Sequence, residues 1–192
     1  VGTEKGLTIY DVKNKKATNY FSDIDSLIIT DNHIFYISPP IDNKLVICTK
    51  DGTSVYNLKT KKFYIPKINN YLPEYEVHSI EYVAGNNSWL VATSKGLVIY
   101  KDDNQALRHF YSIKDVENSL PDNNLRCMHR INDERIFIGT ADGLCEYNAL
   151  NNNIKRINLN LLTTNQSPRL DISNIMSFSE NEIMISTYTN GH

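Results

Sequence analysis

Ile136-Phe137-Ile138-Gly139-Thr140-Ala141-Asp142-Gly143-Leu144-Cys145-Glu146-Tyr147 is an apolar run, a Thr-x-x-Gly turn and a second run ending on Tyr. Leu45-Val46-Ile47-Cys48-Thr49-Lys50-Asp51-Gly52-Thr53-Ser54-Val55-Tyr56 follows the same plan, and so does Trp89-Leu90-Val91-Ala92-Thr93-Ser94-Lys95-Gly96-Leu97-Val98-Ile99-Tyr100. The chain opens on it, at Gly2-Thr3-Glu4-Lys5-Gly6-Leu7-Thr8-Ile9-Tyr10. It begins once more at Ile183-Met184-Ile185-Ser186-Thr187, with one extra residue before Gly191. The Thr residues stand at 3, 49, 93, 140 and 187, in steps of 46, 44, 47 and 47. A near-constant period of this length is the mark of a repeat architecture.

Each position has a physical reading. Thr ends one strand, Gly supplies a positive φ in a tight turn, and a second strand runs to Tyr, which together make a β-hairpin. The residue before Thr is Gly2, Cys48, Ala92, Gly139 or Ser186, always small. Such a slot fits a place where two sheets come too close for a large side chain. The residues ahead of it are continuously apolar, as in Leu45-Val46-Ile47 and Trp89-Leu90-Val91, which means burial on both faces.

The rest of the unit also recurs. Polar turns at Lys13–Lys16, Lys59–Lys62, Asp102–Asn104 and Asn151–Asn153 precede strands near Ala17–Phe21, Phe63–Ile65, Leu107–Tyr111 and Ile154–Ile157. Connectors such as Leu120-Pro121-Asp122-Asn123-Asn124 deliver a first strand, near Leu125–Ile131 in that unit. Four antiparallel strands per unit of this size make a β-propeller blade. The fold class is therefore all-β: incomplete blade 1–22, blades about 30–66, 77–111 and 125–158, and incomplete blade 174–192. A parallel β-helix is the runner-up, but its coils are shorter. An open arc is expected over a closed four-bladed ring, in which Leu7–Tyr10 and Ile183–Thr187 would join in one composite blade.

Hydrophobic residues make up 41% of the 192, and 20 basic against 22 acidic residues leave a net charge of -2. A broad basic nucleic-acid face is thereby disfavoured. Apolar runs such as Ser26-Leu27-Ile28-Ile29-Thr30 are too short to cross a bilayer. The chain starts on Val1 and reads as a piece of a longer protein. Cys48, Cys127 and Cys145 make no disulfide framework: Cys48 fills the small-residue slot, and a second strand separates the other two.

The unit resembles the two-component regulator propeller repeat. The residues that carry the resemblance are Leu120-Pro121-Asp122-Asn123-Asn124-Leu125, Ile136-Phe137-Ile138-Gly139-Thr140-Ala141-Asp142-Gly143-Leu144 and Tyr147-Asn148. Trp89 stands four residues before its Thr where the family has three, and Thr53-Ser54 replaces Gly-Leu in the unit at 30–66. The resemblance implies part of a seven-bladed propeller in the periplasmic sensor region of a hybrid two-component histidine kinase. It implies signalling to transcription. The candidate partners are an oligosaccharide or other periplasmic ligand, the remaining blades of the same protein and a second copy in a homodimer. A protein-interaction propeller without a small-molecule ligand is the alternative, and a propeller-fold polysaccharide lyase or glycosidase ranks behind it.

No catalytic residue, cofactor or metal site is assigned from the sequence, and the ligand-binding residues are left open. The histidines lack zinc-site spacing, and the recurrent Thr-x-x-Gly is a hairpin, not a phosphate loop. Cys127 and His129 alternate with Leu125 and Ile131, a pattern that reads as one packed or channel-lining strand face. Arg126, His129 and Arg130 come nearest to a functional group, with no partner visible along the chain. Trp89 reads as core, with a sugar platform as the other reading.

Overall fold

The computed structural model describes residues 1–22, 28–72, 74–101, 107–159 and 170–188. The expected turn at Asp102–Asn104, the connector residue Pro73, part of the run at Ser26–Thr30 and the Gly191 end of the fifth copy lie outside the described residues. The chain divides into two compact units, 1–80 and 81–192, and each is described by itself.

In the first unit, β1 (Gly2–Thr3), β2 (Gly6–Asp11) and β3 (Lys16–Tyr20) form one antiparallel sheet. β4 (Ile34–Ile37), β5 (Lys44–Thr49), β6 (Gly52–Asn57) and β7 (Lys62–Tyr64) form a second, four-stranded and in chain order. A short 3-10 turn at Lys67–Tyr71 leads to β8 (Val77–Val83), inside which the division falls. In the second unit, β9 (Ser88–Thr93), β10 (Gly96–Tyr100) and β11 (Leu107–Phe110) complete the sheet of β8. β12 (Leu125–Arg130), β13 (Arg135–Thr140), β14 (Gly143–Asn148) and β15 (Asn153–Ile157) form the next, and β16 (Ile172–Ser177) pairs with β17 (Ile183–Thr187). Second strands end at Thr49, Thr93 and Thr140, as the repeat requires.

The hairpin shows why each residue type recurs. Gly6, Gly52, Gly96 and Gly143 hold φ between 85° and 124°, where a side chain is strained. The Thr does more than end a strand. The hydroxyl of Thr93 donates to Gly96 O at 2.7 Å and accepts from Lys95 N at 3.0 Å, and Thr3, Thr49 and Thr140 repeat both bonds. Each turn therefore closes on the Thr side chain, which is buried at Thr49, Thr93 and Thr140 and so cannot rely on water.

The cores lie between successive sheets. Leu7, Ile34, Ile47 and Tyr56 fill the space between the two sheets of the first unit. Leu90, Leu97, Leu125, Ile136, Ile138 and Tyr147 fill that between the sheets of β9 and β13, and Phe137, Leu144, Ile172 and Ile175 fill the next. A Cβ on Gly2 would stand 2.4 Å from Ile34 Cγ2, and one on Gly139 would stand 2.5 Å from Ile172 Cγ2. The small slot thus receives the β-branched residue that opens the next sheet. The hairpin glycines add a backbone tie across the same gap: Gly6 N donates to Asn32 O and Gly143 N to Leu170 O, both at 2.8 Å.

One expectation needs correction. The run Ile183-Met184-Ile185 is not buried on both faces, because Met184 is 52% exposed and Ser186 is open to solvent. No described sheet packs on that side, so the alternation of a one-sided strand returns. β1–β3 and β16–β17 are separate sheets and none is closed, so the disfavoured composite of the terminal strands is not formed. The arrangement is all-β and propeller-like.

Gly139→Leu is expected to destabilise the chain by about 1–3 kcal/mol, since the slot is already filled by Ile172. Ser186→Leu, at the same repeat position on an open face, is expected to be near neutral. Urea denaturation of both variants checks the contrast, and equal effects would remove the slot as a packing constraint.

Candidate functional site

The first strand of three sheets carries a register shift at one repeat position: between Ile34 and Tyr36, Leu125 and Cys127, and Ile172 and Asn174. A bulge adds one residue to one strand and re-aims the side chains on either side of it. The bulged residues are Phe35, Arg126 and Ser173. One consequence overturns the single-face reading of β12. Leu125 and Met128 enter the core with Ile136 and Ile138, whereas Cys127 and Ile131 pack with Phe137 and Ile172 on the opposite side. His129 pairs directly opposite Phe137. Simple alternation across Leu125 and Cys127 fails because Arg126 is extra to the ladder.

The three side chains that looked unpaired in the sequence all have partners. Arg126 grips Asp171 with two parallel bonds, Nε to Oδ1 and Nη2 to Oδ2, both 3.0 Å. His129 Nε2 meets Ser177 Oγ at 2.9 Å. Both partners lie one repeat further along the chain, on or beside β16. Arg130 binds Asp133 at 2.6 Å and stands 3.8 Å from Glu81. Burial raises the Glu81 carboxyl pKa, opposed by the Arg130 charge, and burial lowers that of His129. Each group is engaged on its own partner.

In the first unit, the bulged Phe35 lies between two imidazoles, with ring centroids 4.5 Å from both His33 and His78. Glu76 holds His78 from 3.4 Å. Trp89 is half-buried against Tyr82, with centroids 4.9 Å apart, and so is less enclosed than a core position. The cysteines are free thiols. Burial drives the Cys48 pKa far upward, that of Cys145 to about 12 and that of Cys127 to about 11. Among the described residues no group of three His, Cys, Asp or Glu side chains is placed to hold a metal ion. No described helix is long and apolar enough to cross a membrane.

The second unit also holds an open groove of about 640 Å³ between the connector at 112–121 and the edge formed by β14 and β15. Glu117, Asn118, Asp142, Asn153 and Lys155 are among its polar lining. Pro121, Leu144 and Ile157 supply its apolar part. The sequence offered no sign of it, since its two walls are separated by a whole hairpin.

Antiparallel four-stranded sheets that recur with the hairpin and pack face to face within each unit define a propeller-like repeat protein. No protein-family model and no curated protein matches the chain. Among solved structures it is similar to the extracellular domain of a B. thetaiotaomicron protein described as hybrid two-component system BT3049. The two share 21% identity at a TM-score of 0.75, over 97% of this chain and 24% of that one. The corresponding domain of BT4673, from the same organism, gives 19% identity and a TM-score of 0.71, over 97% and 24%. PorZ of Porphyromonas gingivalis, a surface component of the type-IX secretion system, gives 16% and 0.56, over 89% and 22%. These likenesses establish a shared fold, and the chain spans about a quarter of the length of those structures.

Two measurements follow from the titrating groups whose pKa values burial shifts. All three thiols should resist a disulfide exchange reagent at pH 8 in the native protein and react at once in denaturant. Rapid native labelling would contradict the burial. Because the His129 pKa is lowered on folding, its contribution to stability is full above the ordinary value of 6.5 and is lost as pH falls through the folded value. His129→Gln should therefore flatten the fall in urea midpoint between about pH 7 and pH 5. His109, also lowered by burial, leaves part of the slope.

Proposed function

We propose that this chain is part of the extracytoplasmic sensor propeller of a hybrid two-component regulator. The observation that carries this reading is the fold match to the extracellular domain of BT3049 along 97% of the chain. The Leu120–Leu125 and Ile136–Leu144 motifs, which resemble the two-component regulator propeller repeat, support it independently. On this reading the chain works in the periplasm, contributes blades to a seven-bladed ring and recognises an oligosaccharide. The event is passed to a histidine kinase elsewhere in the protein, and from there to transcription. The open side of β16–β17, with Met176 and Met184 exposed, is covered by further blades of the same protein. Transmission by rigid-body motion suits stacked, close-packed sheets, and a homodimer of whole propellers would suit it as well.

This segment has no catalytic role in the proposal. Arg126 and His129 serve to join β12 to its neighbour. The likeness to PorZ favours a second reading, a protein-interaction propeller in a surface assembly.

The complete extracytoplasmic region should gain thermal stability with one class of oligosaccharide, as a ligand selective for the native state requires. It should leave that sugar uncleaved after prolonged incubation. Cleavage that disappears in Arg126→Ala or His129→Ala would replace the sensor with an enzyme. Stabilisation by no sugar, together with co-purification in a surface complex, would favour the interaction reading.

A further inference from the structure

We infer that the groove between the 112–121 connector and the β14–β15 edge is a binding subsite for a short neutral oligosaccharide. The inference rests on the sensor reading and gives it a location. Three features carry it.

The first is a rim fixed in advance. Arg156, on β15, turns its guanidinium into the connector. Its Nε donates to Ser119 O at 3.0 Å, and its Nη2 reaches Ser119 Oγ at 2.8 Å, Leu120 O at 2.7 Å and Ile113 O at 3.3 Å. The Ser119 hydroxyl accepts from Ile113 N at 3.0 Å and lies 2.8 Å from Val116 O. Ser112 N is held by Asn123 Oδ1 at 2.7 Å. This connector has no strand or helix of its own, yet the half-buried Arg156 and the buried Ser119 hold it to the sheet edge from several points. A wall set before the ligand arrives spares the ordering cost of binding.

The second is the charge of the lining. Glu117 and Asp142 bring two carboxylates, and Lys155 and Arg156 bring two cations. The balance gives no net field to attract a polyanion such as a nucleotide or a heavily sulfated chain. Asn118, Asn153 and Asn158 add amides, each with donors and an acceptor. A wall that both donates and accepts, without net charge, matches hydroxyl groups, which do the same.

The third is the floor and the size. Pro121 lies against the hairpin: a Cβ on Gly143 would stand 3.2 Å from Pro121 Cβ. With the half-buried Ile157 it gives a small apolar surface for the C–H face of a sugar ring. The volume of about 640 Å³ lies within the range of small-molecule sites and suits two or three sugar residues.

The test uses the complete extracytoplasmic region and titration calorimetry. Maltotriose, cellotriose, mannotriose and xylotriose are the neutral probes, and a sulfated disaccharide is the charged one. Glu117→Ala and Lys155→Ala change exposed side chains, and Lys62→Ala, exposed in the first unit, is the control. The expected result is binding of one neutral trisaccharide, weakened at least tenfold by each groove variant and unchanged in the control. Equal binding in all variants would overturn the subsite and leave the sensor reading in place. Preference for the sulfated probe would overturn the neutral class. If no probe binds, the subsite falls. A transcriptional response of the intact regulator to a polysaccharide digest then decides whether the sensor reading falls with it.

Discussion

Sheets of this protein pack on their neighbours through a slot that takes only a small residue, and the rest of the architecture follows from that contact. At Gly2 and Gly139 there is no room for a Cβ, because the Cγ2 methyl of Ile34 or Ile172 occupies its place. The contact draws the sheets together, and the tie from a hairpin glycine N–H to a connector carbonyl sets their offset. Strands β5, β9 and β13 are then enclosed on both sides, which is why their sequences are continuously apolar where a one-sided strand would alternate. The Thr that ends each of these strands is buried, and its hydroxyl supplies the hydrogen bonds that close the turn.

Enclosed second strands and open connectors divide the labour. Packing tolerates little change in β9 or β13, where buried apolar side chains meet on both faces. Variation collects where the chain passes from one sheet to the next: the connectors, the bulged first strands and the outer fourth strands. The bulge is the hinge of this division. It keeps Leu125 in one core and Cys127 in the next while it frees Arg126 to reach Asp171. A scaffold with repeated packing and unrepeated edges can acquire recognition without loss of its fold.

The edges also explain why residues that looked alone have partners. Arg126 and His129 find Asp171 and Ser177 about one period further along the chain, because stacking places equivalent strands side by side. Arg156 finds the carbonyls of a connector some 36 residues earlier for the same reason. Neither pairing leaves a trace in local spacing, and neither bond partner repeats in kind from unit to unit.

The sequence by itself determined the period, the hairpins, the strand ends at Thr49, Thr93 and Thr140, and the small slot ahead of them. These are local or periodic properties: turn geometry needs Gly, two-sided burial needs an unbroken apolar run, and both recur with the unit. Only the tertiary structure decided the bulges at Phe35, Arg126 and Ser173, the side each neighbouring residue faces, and the open face of β17. A bulge is one unpaired residue in a ladder, and no residue type demands it. Whether Met184 is covered depends on the presence of a neighbouring sheet, which its own strand does not encode. The groove beside Arg156 belongs to the same class, because its walls meet only when separate segments pack.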